Sequence, residues 1–276
     1  MKRNFIALTT LVLAIAFIPG CQKGDEYFIN HGAAELKNCS IVQIIRNDFG
    51  VIDTVVFAYN NWGDPVRITK LPRPYMGTYS GPNYAFAYDK KHRLIEITAF
   101  DSSAVSATRY YSRYKYFYDN PGNGNITRDS GYYYGCGGPV FYACFKDATY
   151  YTYDKYDRII KDSLTANYEP GSKVNTYYYN GKGNMDSVGV NHFGMTYTTV
   201  FSTYDNKTNI LRTNKIWMFL SRNYSVNNSF VAESYNSKGL PTRLNLFDKG
   251  SYLGNSLLKL CFDTYYDEEQ ITYSCK

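Results

Sequence analysis

The sequence predicts an all-β protein: an antiparallel up-and-down meander of about 14–16 strands, made of tandem hairpins and rolled into a barrel-like shell. Three observations predict it. A phrase of the form aromatic-x-Tyr-Asp/Asn recurs from one end of the chain to the other. The residues around each copy are Tyr, Phe, Val, Ile and Thr, which suit a pleated, half-buried surface. Beyond residue 20, no stretch of twelve or more residues keeps apolar positions at i, i+3, i+4 and i+7 without a Gly, Pro or turn residue.

The copies can be taken in order. Phe57-Ala-Tyr59-Asn60 precedes Gly63-Asp64-Pro65, and Phe86-Ala-Tyr88-Asp89 precedes Arg93-Leu94-Ile95. Tyr116-Phe-Tyr118-Asp119 leads into a longer turn at 120–125, and Tyr151-Thr-Tyr153-Asp154 into Arg158-Ile159-Ile160. Tyr177-Tyr-Tyr179-Asn180 leads into Gly183-Asn184-Met185, and looser copies stand at Tyr204-Asp205, Tyr235-Asn236 and Tyr266-Asp267. Successive anchoring tyrosines lie 29, 30, 35, 26, 25, 31 and 31 residues apart. Within a copy, aromatic-x-Tyr sets two large side chains on one face of a strand, because side chains alternate with period two. The Asp or Asn that follows hydrogen-bonds to backbone just ahead, Gly supplies positive φ, and an apolar strand returns. Such a meander can close as a barrel, wind as an open spiral, or divide into a small four-bladed propeller.

The N-terminus predicts an address. Lys2 and Arg3 precede an apolar run from Phe5 to Ile18, too short to span a bilayer comfortably, as in a cleaved export signal. Ile18-Pro-Gly-Cys21 resembles a bacterial lipobox, which implies acylation of Cys21 and a stable outer-membrane anchor. Gln22-Lys23-Gly24-Asp25-Glu26 resembles the surface-export signal of Bacteroidetes lipoproteins. The expected organisation is a signal peptide over 1–20, a lipidated tether over 21–38 and one all-β domain over 39–276. The expected location is the outer membrane, facing the cell surface or otherwise the periplasm. Removing residues 1–20 lowers the net charge from +6 to +4, with acids and bases interspersed, which gives no electrostatic case for nucleic acid.

Tyr-Asp-x-x-Gly-Arg-Leu is the phrase of the YD repeats of Rhs-type toxin shells and teneurins, which the copies here resemble in their Tyr-Asp half, most of them lacking the Gly-Arg-Leu half. Together with the lipobox and export signal, the repeat resembles a Bacteroidetes surface lipoprotein family of unknown function that carries such repeats and is described as having a porin-like fold. That resemblance covers about residues 50–275 and implies a porin-like topology. Insertion in the membrane itself is not expected, because the outward positions hold many Asn, Ser, Thr, Lys and Asp.

In an oxidising compartment the cysteines can form disulfides. Cys261 and Cys275 are symmetric about Glu268 in an expected hairpin turn, and Cys136 and Cys144 bracket Gly137-Gly138-Pro139-Val140, so these two pairs are expected, with Cys39 left free. Other connectivities remain open. Neither the cysteines nor His31, His92 and His192 have metal-ligand spacing, and no nucleophile, phosphate-loop or dinucleotide motif is present, so no cofactor, metal or catalytic residue is expected. Asp53-Thr54-Val55, Asp162-Ser163-Leu164 and Asp186-Ser187-Val188 resemble the O-glycosylation acceptors of Bacteroidetes, which would make Thr54, Ser163 and Ser187 attachment sites.

What remains is the aromatic content: thirty-one Tyr and two Trp. Tyrosines in the repeat register are accounted for by packing. Residues outside it are candidates for ligand contact, because breaks in a rigid scaffold carry function. Trp62 sits in a turn where the repeat needs a small residue and is expected to be exposed, whereas Trp217, within Lys215-Ile-Trp-Met-Phe-Leu220, is expected to be buried. Tyr75 and Tyr79 lie in the irregular segment 71–83, with Tyr84 just beyond it. The expected function is non-enzymatic binding of a glycan or another surface macromolecule through aromatic residues on loops. A structural or assembly scaffold for a partner protein is the alternative, and a polysaccharide-processing enzyme the third.

Overall fold

The computed structural model describes residues 39–48, 51–71, 82–101, 109–119, 124–134, 143–167, 171–245 and 268–276. The strands are β1 (Cys39–Asp48), β2 (Val51–Tyr59), β3 (Pro65–Lys70), β4 (Asn83–Tyr88), β5 (Leu94–Asp101), β6 (Arg109–Phe117), β7 (Arg128–Tyr134) and β8 (Ala143–Tyr153). They continue as β9 (Ile159–Ala166), β10 (Ser172–Tyr179), β11 (Met185–His192), β12 (Met195–Val200), β13 (Ser234–Tyr235), β14 (Pro241–Asn245) and β15 (Glu268–Cys275). All join one antiparallel sheet of fifteen strands in the order β12 to β1 followed by β15-β14-β13. The meander is therefore present. Among the described residues its end strands β12 and β13 do not pair, so the ladder is open, and a single sheet excludes propeller blades.

Five hairpins share one turn design. The carboxamide or carboxylate of Asn60, Asp89, Asp154, Asn180 and Asn236 accepts hydrogen bonds from the backbone N–H groups two and four residues ahead, at 2.8–3.1 Å. The residue three ahead is left-handed in each: Gly63, His92, Asp157, Gly183 and Gly239. This is a three-residue hairpin loop with a bulge at its close. The pairing register then slips by one residue just past the turn, as in Ala58↔Arg67 followed by Tyr59↔Pro65, and likewise after Ala87, Thr152 and Tyr178. Each slip adds right-handed twist, so repeating it curls the sheet.

The two aromatics of the phrase have separate jobs. The second reaches back to the preceding hairpin: the Tyr88 hydroxyl donates to the Pro65 carbonyl at 2.7 Å, Tyr118 to Leu94 at 2.9 Å and Tyr153 to Ile126 at 2.8 Å. Tyr204 donates in the same way to the Met185 carbonyl, and Tyr273 to Pro241 at 2.7 Å. The carbonyls of Pro65, Leu94, Met185 and Pro241 open return strands, and that of Ile126 lies two residues before β7. Removing one such tie by Tyr88→Phe is expected to lower stability by about 1 kcal/mol, seen as a lower denaturant midpoint at unchanged slope.

In the first four phrases the first aromatic packs on a plug. Here the meander is interrupted: the copy at Tyr204-Asp205 keeps its turn bond from the Lys207 N–H, but a 3-10 turn (Ile210–Thr213) and the helix α1 (Lys215–Ser221) replace its return strand. Trp217, fully buried, meets Phe57 and Phe86 edge-on at 5.7 and 5.9 Å, and Phe219 meets Tyr116 and Tyr151 at 5.6 and 5.3 Å. One short helix thus fills the concave face from β2 to β8. Truncating a large buried aromatic costs about 3–5 kcal/mol, so the plug is a principal support of the curl. The interruption also redirects one tie, because the Tyr179 hydroxyl points to the Arg222 carbonyl of the plug at 3.4 Å. Seven helical residues are too few to show a helical period in sequence, which is why this element was not anticipated.

The cysteine expectation is corrected. Cys39 is bonded to Cys275, not free, across 236 residues of chain. Glu268, Glu269 and Gln270 open β15 instead of forming a turn, and β15 runs back along β1 in a register that sets Cys39 opposite Cys275. The bond fastens the first described strand to the last. Cys261 and Cys136 lie outside the described residues, as does the side chain of Cys144.

Candidate functional site

The shared turns line up along one edge of the sheet, and the plug rises against them. Between them lies a cleft of about 410 Å³. Lys91, His92 and Arg93 form one wall, Gly124, Asn125 and Asp157 the opposite one, and Lys215 stands at the plug. Aromatic rings of Tyr118, Tyr153, Phe219 and Tyr224 floor it.

Local chemistry makes these walls firm. The Asp89 carboxylate takes the Lys91 and Arg93 N–H groups at 2.8 and 3.0 Å and the Arg93 guanidinium at 2.7–2.8 Å. Desolvation tends to raise the Asp89 carboxyl, but these bonds outweigh it and hold the group below its ordinary value. Arg93 then lies over the Tyr118 ring at 4.5 Å. Opposite, Asn125 donates to Asp157 at 2.9 Å. Burial pushes the hydroxyls of Tyr118, Tyr153 and Tyr224 well above the usual phenol range, so all three stay protonated donors.

Trp62 lies beside His92, one of the residues lining this cleft. It is 70 % exposed, and its ring lies 4.0 Å from that of His92, centroid to centroid. The Trp62 N–H donates to Asn60, which fixes the turn. On the other side, Asn214 caps α1 at Ile216 and donates to the Gly63 carbonyl at 2.9 Å. Trp62, His92 and Lys215 are thus drawn together from three separate segments. The five turns also differ tellingly at their left-handed position. Three use Gly; the two that do not are His92 and Asp157, both lining the cleft. A side chain in that conformation costs roughly 1–2 kcal/mol relative to Gly, and backbone strain of this kind gathers at functional positions.

The other expected site residues are placed as follows. Tyr84 is corrected: it lies in β4, half-buried against the core, and not on a loop. Tyr75, Tyr79, Cys21 and His31 lie outside the described residues. Thr54, Ser163 and Ser187 are half-buried within β2, β9 and β11. Of their preceding carboxylates, Asp53 is paired with Arg46 and Asp162 accepts from Tyr177 and Asn175. His192 closes the β11–β12 hairpin beside Phe193. Lys91, His92, Asp157 and Lys215 were not anticipated as site residues. The signal present in the sequence was the missing Gly at 92 and 157 in an otherwise constant turn.

Behind the cleft lies a second polar cluster. Arg222, left-handed at the C-terminus of α1, packs over the Tyr151 ring at 4.6 Å and hydrogen-bonds its hydroxyl. It lies 3.9 Å from Asp129 and 3.7 Å from Asp162, both carboxylates being buried. Tyr151 donates to Asp129, and Tyr177 to Asp162 at 2.6 Å. The carboxylates of this cluster are buried, and its bonds tie the plug to β7, β8 and β9. Among the described residues no group of His, Cys, Asp and Glu could hold a metal ion.

No family model matches this chain, and no curated protein matches it. Among solved structures it is similar to the complex titled TcdB2-TccC3-Cdc42, at 16% identity and a TM-score of 0.31, covering 72% of this chain and 12% of that one. It is also similar to a porin-like protein from Bacteroides vulgatus, at 9% identity and a TM-score of 0.25, covering 60% of this chain and 98% of that one. The chain thus spans only 12% of the first of these. Likenesses this slight assign no function.

Proposed function

We propose that this protein is a non-enzymatic surface lipoprotein, anchored through Cys21, that binds a glycan at the turn-edge cleft. One observation carries the reading: an indole 70 % exposed lies against the ring of His92, tilted at 46°, and His92 in turn lines a cleft that includes several aromatic rings. A large apolar ring held mostly out in water on a rigid turn offers a flat face for the C–H side of a sugar. The exposed pair Asn125 and Asp157 supplies the sparse polar groups that orient a bound ligand. The test is a glycan array with the full chain, followed by titration of any hit. Trp62→Ala is expected to weaken binding at least tenfold while leaving the denaturation midpoint in place. Retained affinity would remove the site assignment.

A scaffold role is the second reading, favoured by β12. This end strand carries no Pro and no charge, and Met195, Tyr197 and Val200 are 67%, 53% and 68% exposed. Open edges of this kind accept strands from partners. An empty glycan array together with one stoichiometric co-purifying protein would favour the scaffold.

A further inference from the structure

The geometry points to a second copy of this chain as the occupant of the open β12 edge, paired strand to strand about a two-fold axis at Thr198. The inference goes beyond the glycan reading and stands whether or not the cleft binds a sugar. Among the described residues β11 is the only neighbour of β12. Which backbone groups of β12 face outward follows from their hairpin. Phe193 and Gly194, with φ 53 and 75, form the two-residue turn that joins adjacent strands without a slip. The register accordingly runs unbroken from His192↔Met195 to Ser187↔Val200. One step further on, the Phe201 N–H donates to the Asp186 carbonyl at 2.8 Å. Bonded and unbonded pairs alternate along an antiparallel ladder. Met195, Tyr197 and Thr199 therefore turn their N–H and C=O groups to β11, and Thr196, Thr198 and Val200 turn theirs out of the sheet.

That outward set fixes the pairing. Antiparallel copies of one strand related by a two-fold axis keep the same face up, so residues of like parity stand opposite each other. With the axis at Thr198, Thr196 exchanges both backbone bonds with Val200 of the second copy, and Thr198 exchanges them with its own counterpart. Tyr197 then stands opposite Thr199 of the second copy, an aromatic against a β-branched side chain, which is a stabilising cross-strand pair. Charge agrees with the pairing. From Ser187 to Tyr204 the chain carries no Asp, Glu, Lys or Arg, so two copies of the hairpin meet without repulsion. Thr196, Tyr197, Thr198 and Val200 are exposed. Native edges are guarded by charge, Pro or shortness, and the other end of this sheet is guarded: β13 is two residues long and follows Glu233, ion-paired to Arg243 at 3.0 Å. Head-to-tail addition of β12 to β13 thus offers a minimal ladder. Self-pairing offers the length of β12 and closes after two copies.

The experiment is sedimentation velocity of the full chain over a concentration series, where the mass is expected to rise reversibly from one copy to two, as befits a small interface. Thr198→Lys and Thr198→Asp are each expected to remain monomeric, because like charges then stand opposite each other across the axis. Mixing the two variants is expected to restore the dimer, with each variant's denaturation midpoint at dilution unchanged. Thr198→Cys is expected to form a disulfide-linked dimer on mild oxidation, above the level of the unsubstituted chain, and Met195→Cys is not, being too far from its counterpart along the ladder. A chain that is monomeric at every concentration would overturn the inference, as would a dimer that survives Thr198→Lys. Linkage through Met195→Cys in place of Thr198→Cys, or no recovery on mixing, would overturn the two-fold register. Slow amide exchange at Thr196, Thr198 and Val200 in the dilute monomer would show the edge covered by this chain itself and would overturn the second copy as its occupant. None of these outcomes bears on the glycan array, so the two readings fail separately.

Discussion

Replacing Arg222 with methionine is expected to destabilise the protein by about 3–5 kcal/mol, the effect of leaving buried carboxylates without their counter-charge. Arg222 stands between Asp129 and Asp162, at 3.9 and 3.7 Å, and hydrogen-bonds the Tyr151 hydroxyl that itself donates to Asp129. Burial raises the Asp129 carboxyl even with Tyr151 and Arg222 working against it, so this charge is already poorly solvated in the intact protein. Burial likewise works to lower the Arg222 guanidinium, but the surrounding tyrosines and carboxylates outweigh it and hold the group protonated. The measurement is chemical denaturation at neutral pH. A companion variant separates charge from packing: Arg222→Met combined with Asp129→Asn and Asp162→Asn should recover a large part of the loss, because neutral amides need no counter-ion. A loss below about 1 kcal/mol in the single variant would mean that water already solvates these carboxylates and that the plug is not electrostatically clamped.

The same residues show what a sequence can disclose of such a fold. The hairpins were legible because each is local and written several times: Tyr153-Asp154 and Tyr88-Asp89 encode the same tie and the same turn within a few residues. Trp62 was legible for the opposite reason, as a large ring where the repeat calls for something small. The plug was not legible. Its helix is seven residues long, its copy of the repeat is degraded, and Trp217 discloses burial but not which strands enclose it. Nor was the Cys39–Cys275 bond, because local symmetry favoured a nearby partner for Cys275 and only the return of β15 along β1 supplies the distant one. The cleft lies between these cases. His92 and Asp157 stand in local turns, yet Lys215 arrives from the plug, and their meeting depends on a curl that no single segment encodes.

Above about pH 10 the protein is expected to unfold in one steep cooperative step, driven by its interior tyrosines. Burial first of all, with neighbouring carboxylates and other phenols adding to it, raises the hydroxyls of Tyr116, Tyr151, Tyr153, Tyr177, Tyr179, Tyr224 and Tyr273 well above the ordinary phenol value. Tyr204 is pushed up to about 12. A folded-state value raised above the unfolded one means that the unfolded chain loses its protons first as pH rises. The stability these groups contribute is therefore fully present below the unfolded value near 10, and it drains away as pH climbs toward the folded values. Each buried tyrosine steepens the fall by up to about 1.4 kcal/mol per pH unit, so the set together gives a slope on the order of 5–10 kcal/mol per pH unit. An ordinary domain holds 5–15 kcal/mol in all, so the fold is exhausted within about one to two units beyond the onset. The measurement pairs tyrosinate absorbance with far-ultraviolet dichroism across an alkaline titration. Absorbance from the interior tyrosines should rise together with the loss of sheet signal, and refolding on return to neutral pH should reverse both. Interior tyrosines that ionise near pH 10 while the sheet signal persists would show that the concave face is open to water. In that case the ties from Tyr118 and Tyr153 to the preceding hairpins could not be the closed contacts on which the curl depends.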